Sequence, residues 1–166
     1  EGVPVAFHAF LDGRDTPPQS AKDYMAGLVA ATGWEGWSER VRIATVSGRY
    51  YPMDRDNRWE RVEKGWRALV MAEGAAAVDP VAAIDASYTA GVTDEFMVPT
   101  VIGGFTGMND GDGLLMANFR ADRARELLTS LVDPDFGGFA RGRVVKLAAC
   151  LGMTEYSSDL NAYMSA

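Results

Sequence analysis

Short apolar runs, each closed by a glycine- or aspartate-bearing turn, alternate in this chain with longer stretches whose apolar residues recur every three or four positions. The first pattern belongs to strands of a sheet and the second to helices laid against it, so the chain is committed to layers of helix on sheet. Val3 to Leu11 reads as a buried strand that stops at Asp12-Gly13-Arg14-Asp15-Thr16-Pro17-Pro18. A helix follows, with Thr16 as cap, Pro17 in the first helical position and Gln19 completing a capping box; Gly33 is its expected stop. Val41 to Ser47 reads as a second strand. Trp59, Val62, Trp66, Leu69 and Val70 form one helical face up to Gly74, and Asp79-Pro80 opens a further helix carrying Ile84 and Tyr88 to Gly91. Phe96 to Ile102 and Leu114 to Phe119 are strand-like, with Gly103 to Gly113 as a direct, glycine-rich hairpin or loop between them. Asp122 to Leu131 is expected as a helix and Val144 to Cys150 as a last buried strand. The order β-α-β-α-α-β-β-α-β predicts an α/β fold, a mixed β-sheet with flanking helices.

Composition narrows the chemistry. At 166 residues and 48% hydrophobic, with no internal repeat or linker, the chain is expected to form one domain over residues 1–166 with a real core. Cys150 has no second cysteine to pair with, and His8 is the single histidine, so neither a disulfide scaffold nor a multi-histidine metal site can be assembled. No run approaches a membrane span and nothing resembles a signal peptide, which makes the cytosol the expected location. Sixteen Lys and Arg against 23 Asp and Glu leave a charge of −7, the wrong balance for nucleic acid. Thirteen of those sixteen cations are arginine, whose planar fork suits carboxylate and phosphate.

Position separates the arginines. Arg14, Arg49 and Arg120 each follow the carboxyl end of an expected strand, where open α/β sheets bind ligands. Arg123 lies one turn beyond Arg120, so both can face one anion at a helix N-terminus. Asp15 can orient Arg14 or accept from a ligand hydroxyl. Arg61, Arg67, Arg125, Arg141 and Arg143 read as solvated surface residues, Asp54, Asp56 and Asp122 as helix caps, and His8 as a core or rim histidine. Tyr50 and Tyr51 are expected to pack or to line a cleft wall. Asp110-Gly111-Asp112-Gly113 lacks the later ligands of a calcium loop and reads as a turn. No nucleophile with a base stands out, so the residues by themselves describe an anion-binding domain without a catalytic centre.

Three segments carry a resemblance: His8-Ala9-Phe10-Leu11-Asp12-Gly13-Arg14-Asp15-Thr16-Pro17-Pro18, Gly48-Arg49-Tyr50-Tyr51 with Met53-Asp54-Arg55-Asp56, and Asn118-Phe119-Arg120-Ala121-Asp122-Arg123-Ala124-Arg125. With Asn57 to Lys64, Asp94-Glu95-Phe96, Pro99 to Ile102 and Met153-Thr154-Glu155-Tyr156, they make the chain resemble the cofactor-independent (2,3-bisphosphoglycerate-independent) phosphoglycerate mutases. The resemblance implies the substrate-binding domain inserted into an alkaline-phosphatase-like domain that carries a serine nucleophile and two manganese ions. Neither is expected within this sequence, and no cofactor is expected in it. The opening Glu1-Gly2-Val3-Pro4, without methionine, likewise reads as a piece of a longer chain.

In that family 3-phosphoglycerate and 2-phosphoglycerate interconvert through a phosphoserine, in glycolysis and gluconeogenesis. By motif the resemblance assigns substrate binding to Arg14, Asp15, Arg49, Arg55, Arg120 and Arg123. Arg55 is the addition that strand-end position had not selected. The implied partners are phosphoglycerate and the phosphatase-like domain of the same chain, with no nucleic acid or membrane, in a cytoplasmic monomer that is an isomerase only when whole. The competing expectation is a free-standing anion-binding or interaction module. Pro52, between the Arg49 and Arg55 elements, and the long glycine-rich Gly103 to Gly113 depart from the family pattern without removing a proposed contact.

Overall fold

The computed structural model describes residues 2–32 and 40–166. Ten regular elements follow in chain order. They are β1 (Val5–Leu11), α1 (Ala21–Thr32), β2 (Val41–Gly48), α2 (Trp59–Met71), β3 (Ala75–Ala77), α3 (Pro80–Thr89), β4 (Thr100–Ile102), β5 (Gly113–Met116), α4 (Ala121–Val132) and β6 (Ala149–Gly152). Single 3₁₀ turns occupy Asp94–Phe96 and Leu160–Ala162. The main sheet has the order β1-β2-β4-β3, with β1 parallel to β2, β3 parallel to β4, and β2 antiparallel to β4. The mixed sheet with flanking helices expected from the sequence is therefore present.

The core follows from side-chain alternation. Ile43 and Ile102 face α1 and α3 together with Met25 and Ile84, whereas their neighbours Ala44 and Val101 point to the other side, against Phe105. The largest cluster joins α2 and α4 through Val62, Trp66, Leu127 and Leu128 and extends to Met116, Cys150 and Tyr156. Cys150 is buried there, and burial pushes its thiol up.

Several local expectations are corrected. β1 is an edge strand whose first residues are exposed, because among the described residues only β2 flanks it. His8 on β1 bonds through Nδ1 to Thr45 Oγ1 at 2.9 Å and packs edge-on to Phe105. Burial, helped by the charge of Arg42, pulls its pKa down to about 4, so it is neutral at pH 7. β3 was not expected, since three alanines carry no apolar signal. α2 ends at Met71 through Ala72 at φ 53°, before the expected stop at Gly74. The strand expected from Phe96 begins only at Thr100, and the strand expected over Val144 to Cys150 is instead Ala149–Gly152, half of it exposed. The segment expected as Leu114 to Phe119 is the shorter β5. β5 pairs in parallel with β6 in a separate two-stranded sheet, so Gly103 to Gly113 is a loop between sheets rather than a hairpin. It docks on the end of α2, where Met108 N donates to Val70 O at 3.2 Å.

The start of α1 shows a long-range cap. Thr16 Oγ1 accepts from Gly13 N, not from a helix amide, and the helix begins only at Ala21. The amides of Ser20 and Ala21 donate to Asp94 Oδ2 at 3.0 and 2.9 Å, and Tyr88 donates its hydroxyl to Oδ1 of the same carboxylate. Burial and then the Asp94 contact push the Tyr88 phenol up to about 12. Gly33, the expected stop, lies outside the described residues. Asp94→Asn keeps an acceptor for the two amides but removes the charge, so it is expected to cost about 1 to 2 kcal/mol in thermal denaturation. An unchanged melting temperature would show that the cap carries no charge-dependent stability.

Candidate anion-binding site

β1 and β2 run parallel, with a one-residue slip after Phe7, and end with Leu11 opposite Gly48, so the loops leaving them emerge side by side. Arg49 N donates to Leu11 O at 2.8 Å, which seats Arg49 beside the Asp12–Asp15 loop. Its side chain is only 6% exposed and donates through Nη1 to Asp12 Oδ1 at 2.6 Å and Asp15 Oδ2 at 3.0 Å. Burial alone would lower the Arg49 pKa, but the bonds to Asp12 and Asp15 prevail and raise it. Burial would raise that of Asp12, but the Arg49 contact and the amides of Asp15 and Arg14 hold it below its ordinary value.

The third wall is the start of α4. Arg120 is its N-cap residue; it donates to Asp15 Oδ2 at 3.5 Å and to Asp122 Oδ2 at 3.3 Å, and Asp122 also receives Arg55 at 2.9 Å. Asp122 is therefore a bridge between two arginines, not a cap, and those contacts, Arg55 first, depress its pKa. Arg123 donates through Nη1 to Met53 O at 3.1 Å, while its buried Nε finds no partner among the described residues. Burial, and then the charges of Arg55, Arg49 and Arg120, lower the Arg123 pKa.

These elements enclose a cleft of about 210 Å³. Arg14, Arg49, Arg55 and Arg123 line it, whereas Asp15 and Arg120 stand at its rim, tied in through Arg49 and Asp122. All six residues singled out from the sequence thus gather at one place, although Asp15 and Arg120 are 105 positions apart. Six arginines line the cleft against Asp54, Asp56 and Glu95, a local excess of three positive charges in a chain of charge −7.

Sequence reasoning missed two of the six. Arg61, read as a surface residue, lies 3.9 Å over the Tyr50 ring and 3.7 Å from Asp54. Arg58 pairs with Asp54 at 3.2 Å and Asp56 at 2.6 Å. The usable signal was their i, i+3 spacing at the start of α2, just after the Asp54-Arg55-Asp56 turn. Tyr50 does line the wall. Arg141 is also corrected: it is buried, donates to Ser130 O, Asp133 O and Pro134 O, and stacks on Phe136. Arg67 pairs with Glu63 and Glu73 on the surface, and Arg125 and Arg143 are exposed, as expected. Among the described residues no group of three or more His, Cys, Asp or Glu is placed to hold a metal ion.

Comparison with known proteins agrees on one family. Residues 1–158 match the family model described as BPG-independent PGAM N-terminus. The 2,3-bisphosphoglycerate-independent phosphoglycerate mutase of Rhodopseudomonas palustris is 54% identical over 98% of this chain, and that of Paracoccus denitrificans 50% identical over its whole length. A crystal structure of Leishmania mexicana phosphoglycerate mutase, determined at low cobalt concentration, superposes with a TM-score of 0.85 at 33% identity over 95% of this chain. The chain spans 31% and 32% of the two bacterial relatives and 30% of the solved structure. On this evidence the chain belongs to the family of BPG-independent phosphoglycerate mutase N-terminal regions.

Proposed function

We propose that the cleft binds phosphoglycerate and that the protein is the substrate-holding part of a phosphoglycerate mutase interconverting 3-phosphoglycerate and 2-phosphoglycerate. The observation that carries this reading is Arg123, a half-buried guanidinium with an unpartnered Nε, crowded by three other arginines. Such a cluster is unfavourable by itself and is relieved by a multiply charged anion. Phosphoglycerate offers a phosphate and a carboxylate, and a cleft of 210 Å³ is below the usual range of about 300 to 1,000 Å³ for drug-sized ligands, so it suits a compact one.

In this reading Arg14, Arg49, Arg55, Arg120 and Arg123 hold the two anionic groups, and Asp15 accepts from the glycerate hydroxyl, as an ionised carboxylate must. Holding the dephosphorylated glycerate while it reorients keeps the return transfer intramolecular and prevents its loss to water. The phosphoserine and two manganese ions belong to a phosphatase-like domain of the same protein. Among the described residues no group of three or more His, Cys, Asp or Glu is placed to hold such ions, and no step here passes through them. The enzyme so described is a cytoplasmic monomer, and no helix among the described residues is long and apolar enough to cross a membrane.

The test is calorimetric titration of 3-phosphoglycerate into the chain, with Arg123→Ala and Arg141→Ala as a contrasting pair. Arg123→Ala is expected to weaken binding about 10- to 100-fold, since a hydrogen bond to a charged group is worth about 1.5 to 3 kcal/mol. Arg141→Ala should leave affinity unchanged and lower the melting temperature by about 6 to 12 °C, through the loss of about 3 kcal/mol in contacts to three carbonyls. Equal losses in both variants, or 3-phosphoglycerate bound no better than inorganic phosphate, would overturn the reading.

A further inference from the structure

One wall of the cleft carries a buried acid pair to which the binding chemistry assigns no role. Asp54, with a side chain 2% exposed, sits in the loop before α2, and Glu126 is buried on α4. Glu126 takes the amide of Asn57 while Asp54 takes the amides of Asp56 and Arg58 on either side of it, so the two carboxyl groups grip one short turn of backbone from neighbouring positions. Asp54 is well supplied with donors: its Oδ2 accepts from Asp56 N at 3.0 Å and Arg58 N at 2.9 Å, and its Oδ1 from Arg58 Nη1 at 3.2 Å. Among the described residues Glu126 accepts only from Asn57 N, at 2.8 Å through Oε1, and no donor reaches its buried Oε2. Two buried carboxylates this close together disfavour double ionisation, and the supply of donors favours the charge on Asp54.

We propose that Asp54 and Glu126 share one proton, carried on Glu126 Oε2 and donated to Asp54, and that this pair is a positioning element fastening the 53–58 loop to α4. Arg55 is on that loop and Arg120 and Arg123 are on α4, so the pair sets the separation of the arginines across the cleft; this consequence rests on the cleft being the anion site. The directions agree. Burial and the Asp54 charge hold the Glu126 carboxyl above its ordinary range, while at Asp54 the amides of Arg58 and Asp56 outweigh burial and hold it below. The charged groups around the pair are Asp56 from the loop, Arg58 and Arg61 from the start of α2, and Arg123 from α4 itself.

The sign follows from linkage. A glutamate whose pKa is raised by folding favours the folded state below its ordinary value of 4.5, and that contribution is lost as pH rises through the raised value. Glu126→Gln keeps a donor toward Asp54 and an acceptor for Asn57 N but cannot ionise. Difference infrared spectra through a pH titration should show, in the wild type, a protonated carboxyl band that persists above the ordinary glutamate range and is missing from E126Q. The melting temperature of E126Q should gain on the wild type by at least about 2 °C between pH 5 and pH 8. Glu126→Ala should weaken 3-phosphoglycerate binding about tenfold, with E126Q restoring it. No difference band, parallel melting profiles, or an E126Q no better than E126A would overturn the proposal. The first two readouts use no phosphoglycerate, so their failure counts against the proton pair and not against the substrate reading.

Discussion

Arg49→Ala is expected to lose at least about 100-fold in 3-phosphoglycerate affinity, the largest binding defect of any single arginine in the cleft. Arg49 is the most buried cation there, and it is held at both ends of the Asp12–Asp15 loop. Truncation removes a guanidinium fork from the ligand and leaves Asp12 with only the amides of Arg14 and Asp15 and Asp15 with only the 3.5 Å contact to Arg120, so two weakly compensated carboxylates then face an incoming anion. Arg49→Lys retains the charge but not the fork, and its affinity should fall between the two. Stability should change with a particular pH dependence. Because Arg49 helps to hold Asp12 below its ordinary pKa of 3.8, the wild type draws stability from that contact above this value and loses it as pH falls through the depressed one. Arg49→Ala should melt lower at pH 7 and converge on the wild type in acid. Calorimetric titration and melting curves at pH 7 and pH 3 check both parts. An Arg49→Ala affinity within threefold of the wild type would remove Arg49 from the site.

The largest stability loss is expected one residue earlier. A Cβ added at Gly48 would stand 2.2 Å from Glu95 O and 2.5 Å from Asp94 O, closer than real Cβ atoms come to anything. Both atoms are backbone, and that backbone is pinned: Gly48 N donates to Met97 O at 2.8 Å and Tyr50 N to Glu95 O at 3.1 Å. Gly48→Ala must push the 94–97 segment off the end of β2. The displaced segment carries Asp94, which caps α1, and Glu95, which lies 3.8 Å from Arg14. We expect a loss of at least about 4 kcal/mol, about 8 to 16 °C in melting temperature, or failure to fold. Gly27, on α1 with nothing within 4 Å of its Cβ position, is the control, where alanine should stabilise by about 0.5 to 1 kcal/mol. A Gly48→Ala protein that melts with the wild type would mean that the strand end tolerates a spacing the packing forbids.

Both variants trace to the same few residues at the end of β2, which shows how closely the site depends on the fold. Gly48 permits the approach of the Asp94–Phe96 turn, and Arg49 then emerges against Leu11 beside the aspartates of the first loop. A change that loosens the turn is therefore expected to weaken anion binding without touching an arginine.

What the sequence determined by itself is local. Apolar periodicity marked α2, α4 and β2, and Asp79-Pro80 marked the start of α3, where the Asp79 side chain does accept from Ala82 N, because those signals lie within one turn or one strand. Placement after strand ends singled out Arg14 and Arg49, because the parallel neighbours β1 and β2 deliver their carboxyl ends to one edge of the main sheet; Arg120 follows β5 of the other sheet, and Arg123 was reached from it by one helical turn. What only the tertiary structure decided is which distant groups meet. Asp94 caps a helix that starts 73 residues earlier, and Asp15 reaches Arg120 across 105 residues. Arg141 is buried because three carbonyls near the end of α4 converge on it, and Arg61 joins the cleft because Tyr50 offers it a ring face. An arginine in the sequence carries the same charge and donors in either setting. Its role is set by which acceptors the chain brings within about 3 Å, and that distance is a property of the folded backbone.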